Sequence, residues 1–251
     1  MRTIDINCDM GEAFGPWTMA DDAFLMDYIS SVNIACGFHA GDPGIMQQTV
    51  KLALGKGLAV GAHPSFPDLQ GFGRRNMQLS DTEIYQLIIY QLGAIAAFVK
   101  IENGRLHHVK PHGALYNMAA KNDGMANAIA SAVADFDASL ILYGPAGSAL
   151  LSAGKAAGLR TACEAFTERA YMSDSSLAPR TLPGAIIEDK WEMREQLINI
   201  VTGKPVTTLD GQSLVIEADT ICLHSDNKHA KIFAQEIVST LKEQQIEIRS
   251  L

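Results

Sequence analysis

Short apolar runs alternate with amphipathic stretches along nearly the whole chain. Each run holds four to six mostly apolar residues, which predicts a buried strand, and most runs are followed by a polar turn and then by apolar residues at helical spacing. Strands that alternate with helices pair in parallel through right-handed crossovers. The predicted strands are Thr3–Cys8, Val32–Cys36, Leu58–Ala62, Leu106–Val109, Ser139–Tyr143, Arg160–Cys163 and Thr220–Leu223.

Two of the intervening stretches carry clear helix start signals. Pro43 can occupy the first turn of a helix that runs to about Lys56. Ser80 and Glu83 have the spacing of a capping box ahead of a helix that runs to about Ile101. The remaining predictions are a helical region to about Asp135, a helix from about Asp189 to Val201, a hairpin from Val206 to Ile216 and a final helix to about Lys242.

Polar groups follow six of the seven predicted strands, and this pattern favours a closed barrel over an open sheet. In an open α/β sheet the ligand binds at one switch point, whereas a barrel gathers every strand end into one ring. We therefore expect an α/β fold, a seven-stranded (β/α) barrel that forms one domain over residues 1–251. The strand-end groups are Asp9, His39, His63, Lys110 with His112, Glu164, and His224 with Asp226.

Composition narrows the class of function. The 28 acidic and 20 basic residues give a net charge of −8 with no long basic run, which argues against a nucleic-acid surface. No uncharged apolar segment reaches the roughly 18 residues of a membrane span, and the first residues do not resemble a signal peptide. The four cysteines form no C-x-x-C pair, so we expect small buried side chains and a cytoplasmic location.

The histidines carry the strongest chemical signal, because His39, His63, His112 and His224 all lie at predicted strand ends. Imidazoles and carboxylates that converge in a partly buried cup acquire the shifted pKa values that acid–base catalysis needs. The same groups, with Asp9, could instead hold a divalent metal. Their spacing does not decide between the two interpretations, since the groups come from different strands. The other three histidines are expected to be structural or exposed.

Three basic residues at two places in the chain are candidates for binding an anion. Lys110 would point into the ring of polar groups, where it could bind phosphate or carboxylate or pair with Asp9 or Glu164. Arg74 and Arg75 end a glycine-rich loop, and either an anion site or an exposed pair fits them equally well. The chain has no Walker A sequence, no Rossmann fingerprint and no G-x-S-x-G motif, so any nucleotide would be held by other means.

Several ordered blocks of this sequence resemble the LamB/YcsF family, and the resemblance covers essentially the whole chain. The blocks are Asp5–Glu12, Asn33–Pro43, Gly61–Asp68 with Gly71–Arg75, and Val109–Asn117. Members of that family act as the A subunit of bacterial ATP-dependent 5-oxoprolinase, which opens the lactam of 5-oxo-L-proline to give L-glutamate. The resemblance therefore implies ATP as a co-substrate, the B and C subunits as partners, and an irregular seven-stranded barrel of the glycoside hydrolase/deacetylase type.

The expected site residues combine the strand-end pattern with this resemblance. Ser225 departs from the family, because a glycine is usual between His224 and Asp226, and the segments Ala165–Tyr171 and Ser173–Ser176 also depart from it. Catalysis is assigned to Asp9, His39, His63 and His112, substrate binding to Lys110, Arg75, Glu164, Arg169 and His224, and a possible metal to Asp9, His39 and His63.

Two other functions compete with the lactam hydrolase. The ring of histidines and acids alone also fits a stand-alone metal-dependent amidohydrolase or deacetylase, which would need neither ATP nor partners. A non-catalytic scaffold subunit is the third interpretation, although it leaves six polar strand ends without a role.

Overall fold

The computed structural model describes residues 2–17, 21–225 and 229–251, and in those ranges ten strands and eight helices form. Seven of the strands close into a parallel barrel in the order β1-β2-β3-β4-β5-β6-β9, because β9 pairs both with β6 and with β1. The strands are β1 (Arg2–Met10), β2 (Ser31–Ala35), β3 (Ala59–His63), β4 (Leu106–Val109), β5 (Ile141–Pro145), β6 (Arg160–Phe166), β7 (Val206–Thr207), β8 (Ser213–Leu214), β9 (Thr220–His224) and β10 (Ile246–Ile248).

The helices surround the barrel, and side-chain caps fix where most of them begin. Asp42 accepts hydrogen bonds from the backbone N–H groups of residues 44 and 45, and Ser80 with Glu83 forms the predicted capping box. The helices are α1 (Asp22–Leu25), α2 (Pro43–Gly55), α3 (Asp81–Ile101), α4 (Gly113–Ala119), α5 (Asp123–Asp137), α6 (Ala149–Ala156), α7 (Lys190–Thr202) and α8 (Ala230–Glu243).

Strand β1 closes the barrel and sets the register of the strand ends. Its residues 5–9 pair with β9 and its residues 7–10 pair with β2. Asp9 consequently lies directly between Asn33 on β2 and His224 on β9. Because parallel strands in register end at the same level, the polar groups that follow them face one another across the barrel mouth.

A hydrogen-bonded polar cluster fills the barrel interior below that mouth. One oxygen of Asp5 accepts 2.6 Å hydrogen bonds from the hydroxyls of Ser30 and Ser31, and the other accepts from Thr220 at 2.6 Å and Tyr143 at 3.2 Å. Burial raises the pKa of Asp5, which these four hydroxyls partly offset. The cluster shows that the barrel is packed through its centre and is not an open channel.

The structure confirms the predicted seven-stranded barrel and each predicted strand. Elements α1 and β10 were missed because they are too short to show a period, with four and three residues. The predicted hairpin is present as β7 and β8, which pair antiparallel. All four cysteines are free and three are buried, as expected from their positions in apolar runs.

Helix α3 is long and apolar enough, by length and composition, to cross a membrane, and it is the one such helix among the described residues. Its apolar positions Ile84, Ile88, Leu92 and Ile95 recur every three or four residues and are fully buried. Helix α3 packs against α5, α2 and the barrel strand β3. An apolar helix that packs on a protein core passes the same test, so composition alone does not indicate a membrane span.

Gly61 on β3 tests the packing of the barrel interior. A Cβ atom there would lie 2.1 Å from Nε2 of His108, whose ring donates to Asn33 Oδ1 at 2.8 Å and stacks on Tyr143. We expect Gly61→Ala to destabilise the protein by about 1–3 kcal/mol, because the packed ring cannot move away. The free energy of unfolding in urea measures the effect.

Gly93 provides the matched control, since it lies on the exposed face of α3 with open space around its Cα. Gly93→Ala should stabilise the protein by up to about 1 kcal/mol through helix propensity. A Gly61→Ala variant as stable as the natural protein would show that the barrel interior is not packed as described.

Candidate active site

A cleft of about 1140 Å³ opens at the C-terminal ends of the barrel strands. Its walls come from β1, β3, β6 and β9, from the turn after β4, and from the loops that follow β5 and β6. Of the residues predicted for the site, the cleft is lined by Asp9, His63, Lys110, His112, Glu164, Arg169 and His224.

Lys110 lies at the centre of this group, buried to 3% exposure. Its ammonium is 2.9 Å from Asp9 Oδ1 and 2.9 Å from Glu164 Oε1, and it also contacts Asn7 Oδ1 at 3.3 Å and Cys222 Sγ at 3.0 Å. Although burial opposes its charge, Asp9 and Glu164 hold the pKa of Lys110 well above its ordinary value. Lys110 is therefore a permanent cation between two buried carboxylates, and of the two roles predicted for it the structure favours pairing.

The backbone fixes the tautomers of His63 and His112. His63 Nδ1 lies 2.7 Å from the carbonyl oxygen of Lys110, and His112 Nε2 lies 2.8 Å from that of Phe72. Because a carbonyl only accepts, each of these nitrogens must carry a proton. The remaining nitrogens, His63 Nε2 and His112 Nδ1, face each other at 2.9 Å. When both rings are neutral, two lone pairs converge on one point, and that point attracts a cation.

Glu12 and His39 complete the cluster on its inner side. His39 stacks on His112 with ring centroids 3.8 Å apart and planes 8° from parallel. Its Nε2 is 3.1 Å from Glu12 Oε1, and the same oxygen is 3.6 Å from His112 Nδ1. The Nδ1 atom of His39 is buried and has no hydrogen-bond partner among the described residues. Glu12 thus joins two imidazoles that come from different loops.

Burial and charge set the ionisation of these groups in opposite directions. Burial lowers the pKa of His39 and of His112 well below the ordinary value, and the neighbouring imidazoles lower both further. Burial alone would raise the pKa of Asp9, but His63 and Lys110 hold it well below the usual range. The neutral imidazoles of His39 and His112 therefore lie close to the ionised carboxylate of Asp9 near neutral pH.

Four donors from Glu12, His39, His63 and His112 lie within 4.8 Å of one another, a grouping suited to a divalent metal. Metal-binding histidines usually donate the other ring N–H to a carbonyl or carboxylate, which is the arrangement of His63 and His112 here. The predicted metal set of Asp9, His39 and His63 differs from this cluster, which contains Glu12 and His112 but not Asp9.

His224 ends β9 next to Asp9, and donor atoms of His224, Asp9 and Cys222 lie within 4.8 Å of one another. Its ring stacks on Phe166 with centroids 5.6 Å apart, and its backbone N–H donates to Glu168 Oε1 at 2.9 Å. His224 Nδ1 is 3.7 Å from the same oxygen. Asp226, which the sequence also placed at this strand end, lies outside the described residues.

Arg169 holds the loop between β6 and α7. Its guanidinium donates to the carbonyl oxygens of Ala178 at 2.6 Å and Ala185 at 3.4 Å. Burial lowers the pKa of Arg169 to about 10, so it stays charged at neutral pH. The side chain lines the cleft, but the structure gives its bonds a role in loop shape.

The structure separates the two neighbouring arginines of the glycine-rich loop. Arg75 is 63% exposed and pairs with Asp68, its Nε lying 2.9 Å from Oδ1, and it does not line the cleft. Arg74 does line the cleft, with its guanidinium 4.9 Å from the centre of the Phe72 ring. Position in sequence could not distinguish the two, because adjacent loop residues point in different directions.

Among the residues that contact the site, Glu12, Asn33 and Phe72 were not predicted. Glu12 follows Asp9 by three residues at the end of β1, which is the one signal that could have identified it. Asn33 donates to both Asp9 Oδ1 and Asn7 Oδ1, at 2.8 Å and 2.7 Å. Phe72 contributes its backbone carbonyl, and no side-chain pattern reveals such a contact.

Comparison with known proteins agrees with the geometry. The sequence model of the LamB/YcsF family matches residues 4–251. The A subunit of 5-oxoprolinase from Tolumonas auensis is 51% identical over 251 residues, and each chain is covered completely. The corresponding 5-oxoprolinase protein of Geobacillus thermodenitrificans is 54% identical over 251 residues, which are all of this chain and 98% of that protein.

Solved structures give the same result for the fold. The lactam utilization protein from Thermus thermophilus superposes with a TM-score of 0.94 at 43% identity, over 99% of this chain and 100% of that one. A family 4 carbohydrate esterase from Streptomyces lividans has a TM-score of 0.50 at 11% identity, over 98% and 91% of the two chains. The second similarity concerns the fold alone.

The role of Arg169 as a loop anchor can be tested by Arg169→Met. The substitution keeps most of the side-chain volume but leaves the two alanine carbonyls without their donor, which should cost about 1–3 kcal/mol. We expect faster cleavage by a protease within residues 170–188 and a lower free energy of unfolding. Arg160→Met, at the exposed start of β6, should change neither. Equal cleavage rates for the two variants would contradict the anchoring role.

Proposed function

This chain belongs to the LamB/YcsF family, and from that premise we propose that it is the A subunit of a 5-oxoprolinase. With B and C subunits it would cleave the lactam of 5-oxo-L-proline to L-glutamate at the expense of ATP. One observation carries the proposal: a buried cluster of imidazoles and carboxylates opens into the cleft of a chain that is more than half identical to relatives named as the A subunit of 5-oxoprolinase. The proposed unit is one domain over residues 1–251.

ATP is needed because resonance stabilises the lactam against water. Transfer of the γ-phosphoryl group to the lactam oxygen would form a P–O bond, release ADP and leave the ring carbon electrophilic. Water then adds to that carbon, the C–N bond breaks, and the nitrogen takes up a proton. A second water releases phosphate from the resulting acyl phosphate.

The cleft residues suit the hydrolytic half of this sequence. The free nitrogens of His63 and His112 can accept a proton from water and return it to the departing nitrogen. Asp9, 3.4 Å from His63 Nε2, stabilises the imidazolium formed in between. Arg74 lines the cleft and is our candidate for the substrate carboxylate, in place of Arg75, which pairs with Asp68.

As the alternative to proton transfer by His63 and His112, we further propose that Glu12, His39, His63 and His112 hold a divalent metal, because a ring nitrogen that binds an ion cannot also accept a proton. Such an ion, when bound, would polarise a carbonyl or lower the pKa of a water. The proposal is supported by the two backbone carbonyls that fix the ring N–H groups of His63 and His112, and by the lowered pKa of His39 and His112, which keeps them neutral and able to bind metal.

A cytoplasmic location is also part of the proposal. Four free cysteines and a need for ATP support it. The stand-alone metal-dependent hydrolase and the non-catalytic scaffold are alternative outcomes of the experiments below.

Replacing His63 or His39 with Ala should abolish ATP-dependent cleavage of 5-oxo-L-proline by the complex reconstituted with the B and C subunits. Loss of a general acid–base group costs roughly 100- to 10,000-fold in rate. Glutamate release and circular dichroism measure turnover and folding.

His107→Gln is the control, because His107 contacts the backbone of Leu251 and does not line the cleft. Retained turnover in both the His39 and His63 variants would reject the assignment and favour the scaffold. Lactam or amide cleavage without ATP and partners would favour the stand-alone hydrolase.

Metal binding can be measured on the chain alone, by equilibrium dialysis against Zn²⁺ or Mn²⁺ followed by elemental analysis. We expect one ion per chain, and a loss of affinity of at least about tenfold in His63→Ala and in His112→Ala, since each removes a ligand. His107→Ala should bind as the natural chain does. Absence of stoichiometric binding, or equal binding by all variants, would contradict the metal proposal.

A further inference from the structure

The proton transfer proposed for His63, His112 and Asp9 gives no role to one wall of the cleft. On that wall, Glu164 presents two buried carboxylate oxygens with few donors around them: Lys110 Nζ lies 2.9 Å from Oε1, and the buried hydroxyl of Tyr116 interacts with the same carboxylate. Buried polar atoms are almost always fully paired, so a buried carboxylate with so few donors in a cleft indicates a missing ligand.

Lys110 does not supply the missing bonds. Its ammonium is 2.9 Å from Glu164 Oε1, but it is shared with Asp9, Asn7 and Cys222. A carboxylate can accept about four hydrogen bonds, so the contacts with Lys110 and Tyr116 leave Glu164 with room for a further donor. The side chain of Glu164 is fully buried, so bulk water does not satisfy it.

The surroundings of Glu164 limit the shape of the ligand. Phe166, Tyr116 and Cys222 form a small apolar cluster, with Leu177 packed against it. Phe166, Tyr116 and Leu177 also line the cleft. An apolar wall beside an unpaired acceptor fits a small ring that has methylene groups on one side and one N–H donor on its edge.

We propose that Glu164 accepts a hydrogen bond from the N–H of a cyclic secondary amide, so that this wall selects lactams over lactones. Tyr116, which lies against the same carboxylate, supports this contact. The choice of 5-oxo-L-proline as the natural lactam rests on the proposed function, whereas the selection of an N–H donor does not. Burial and the negative charge of Glu164 raise the pKa of Tyr116 well above its ordinary value, so its hydroxyl keeps its proton and can donate.

The selectivity for lactams arises because a ligand without an N–H leaves the Glu164 carboxylate without a donor. A lactone has the same ring and carbonyl but carries an oxygen lone pair where the lactam has N–H. That lone pair would face the Glu164 carboxylate. A site built to bind a donor rejects the analogue that lacks it far more strongly than an apolar pocket rejects a change in size.

The test compares 2-pyrrolidinone with γ-butyrolactone, which differ only in N–H against O, together with 5-oxo-L-proline. Binding of each to the full chain is measured by ligand-observed NMR titration. We expect 2-pyrrolidinone to bind roughly 10- to 100-fold more tightly than γ-butyrolactone, as for loss of a buried hydrogen bond to a charged acceptor.

Glu164→Gln keeps the shape of the side chain but should remove this preference. Lys110 has only donors, so it should hold the amide oxygen and turn the amide N–H₂ towards the ligand N–H. Tyr116→Phe should reduce the preference without abolishing it, and it serves as the second variant if Glu164→Gln is unstable. Glu195→Gln, on the exposed face of α7, is the matched control and should bind as the natural chain does.

Each outcome decides the inference separately from the proposed function. Equal binding of lactam and lactone by the natural chain, binding of neither, or a preference unchanged in Glu164→Gln and Tyr116→Phe would overturn it. A Glu164-dependent lactam preference in a chain whose complex does not cleave 5-oxo-L-proline would support the inference and reject the proposed function. Cleavage of 5-oxo-L-proline by the complex, together with a lactam preference that does not depend on Glu164, would support the proposed function and reject the inference.

Discussion

Lys110 connects the barrel to the site through its side-chain ammonium and through its backbone carbonyl. From the end of β4 its ammonium reaches across the barrel mouth to Asp9 on β1 and Glu164 on β6, each at 2.9 Å. Its carbonyl oxygen receives the Nδ1 proton of His63. Removing one partner of a buried ion pair costs about 3–5 kcal/mol, because the other charge stays buried without compensation. The position of this one residue therefore determines the position of two carboxylates, through its side chain, and of one imidazole, through its backbone.

The histidine cluster is organised by the backbone more than by other side chains. Two carbonyl oxygens take the outer N–H groups of His63 and His112, and this leaves the inner nitrogens 2.9 Å apart with their lone pairs facing. Burial lowers the pKa of His112 and favours its neutral ring, while Asp9 lies beside His63 and Glu12 lies beside His39 and His112. A proton in transit and a divalent ion are both cations, and the same arrangement suits both.

Much of the fold and part of the site could be predicted from the sequence. Apolar runs with polar ends are a local signal, and parallel pairing then requires that strand ends such as Asp9, His63 and Glu164 meet. Side-chain direction within loops is not a local signal, which is why Arg75 and Arg74 could not be distinguished. A contact made by a backbone atom, such as that of Phe72 with His112, does not depend on residue type and so leaves no signal in the sequence. The position of Glu12 depends on the geometry of a turn that the sequence alone does not specify.

The central claim is that these two carbonyls hold His63 and His112 as opposite tautomers with their free nitrogens converging. Nitrogen-15 NMR of the histidine side chains in the metal-free chain tests it directly, with single substitutions for assignment. The account predicts a proton on Nδ1 of His63 and on Nε2 of His112, seen as one-bond N–H couplings at those atoms. A bare Nδ1 on His63 or a bare Nε2 on His112 would contradict it.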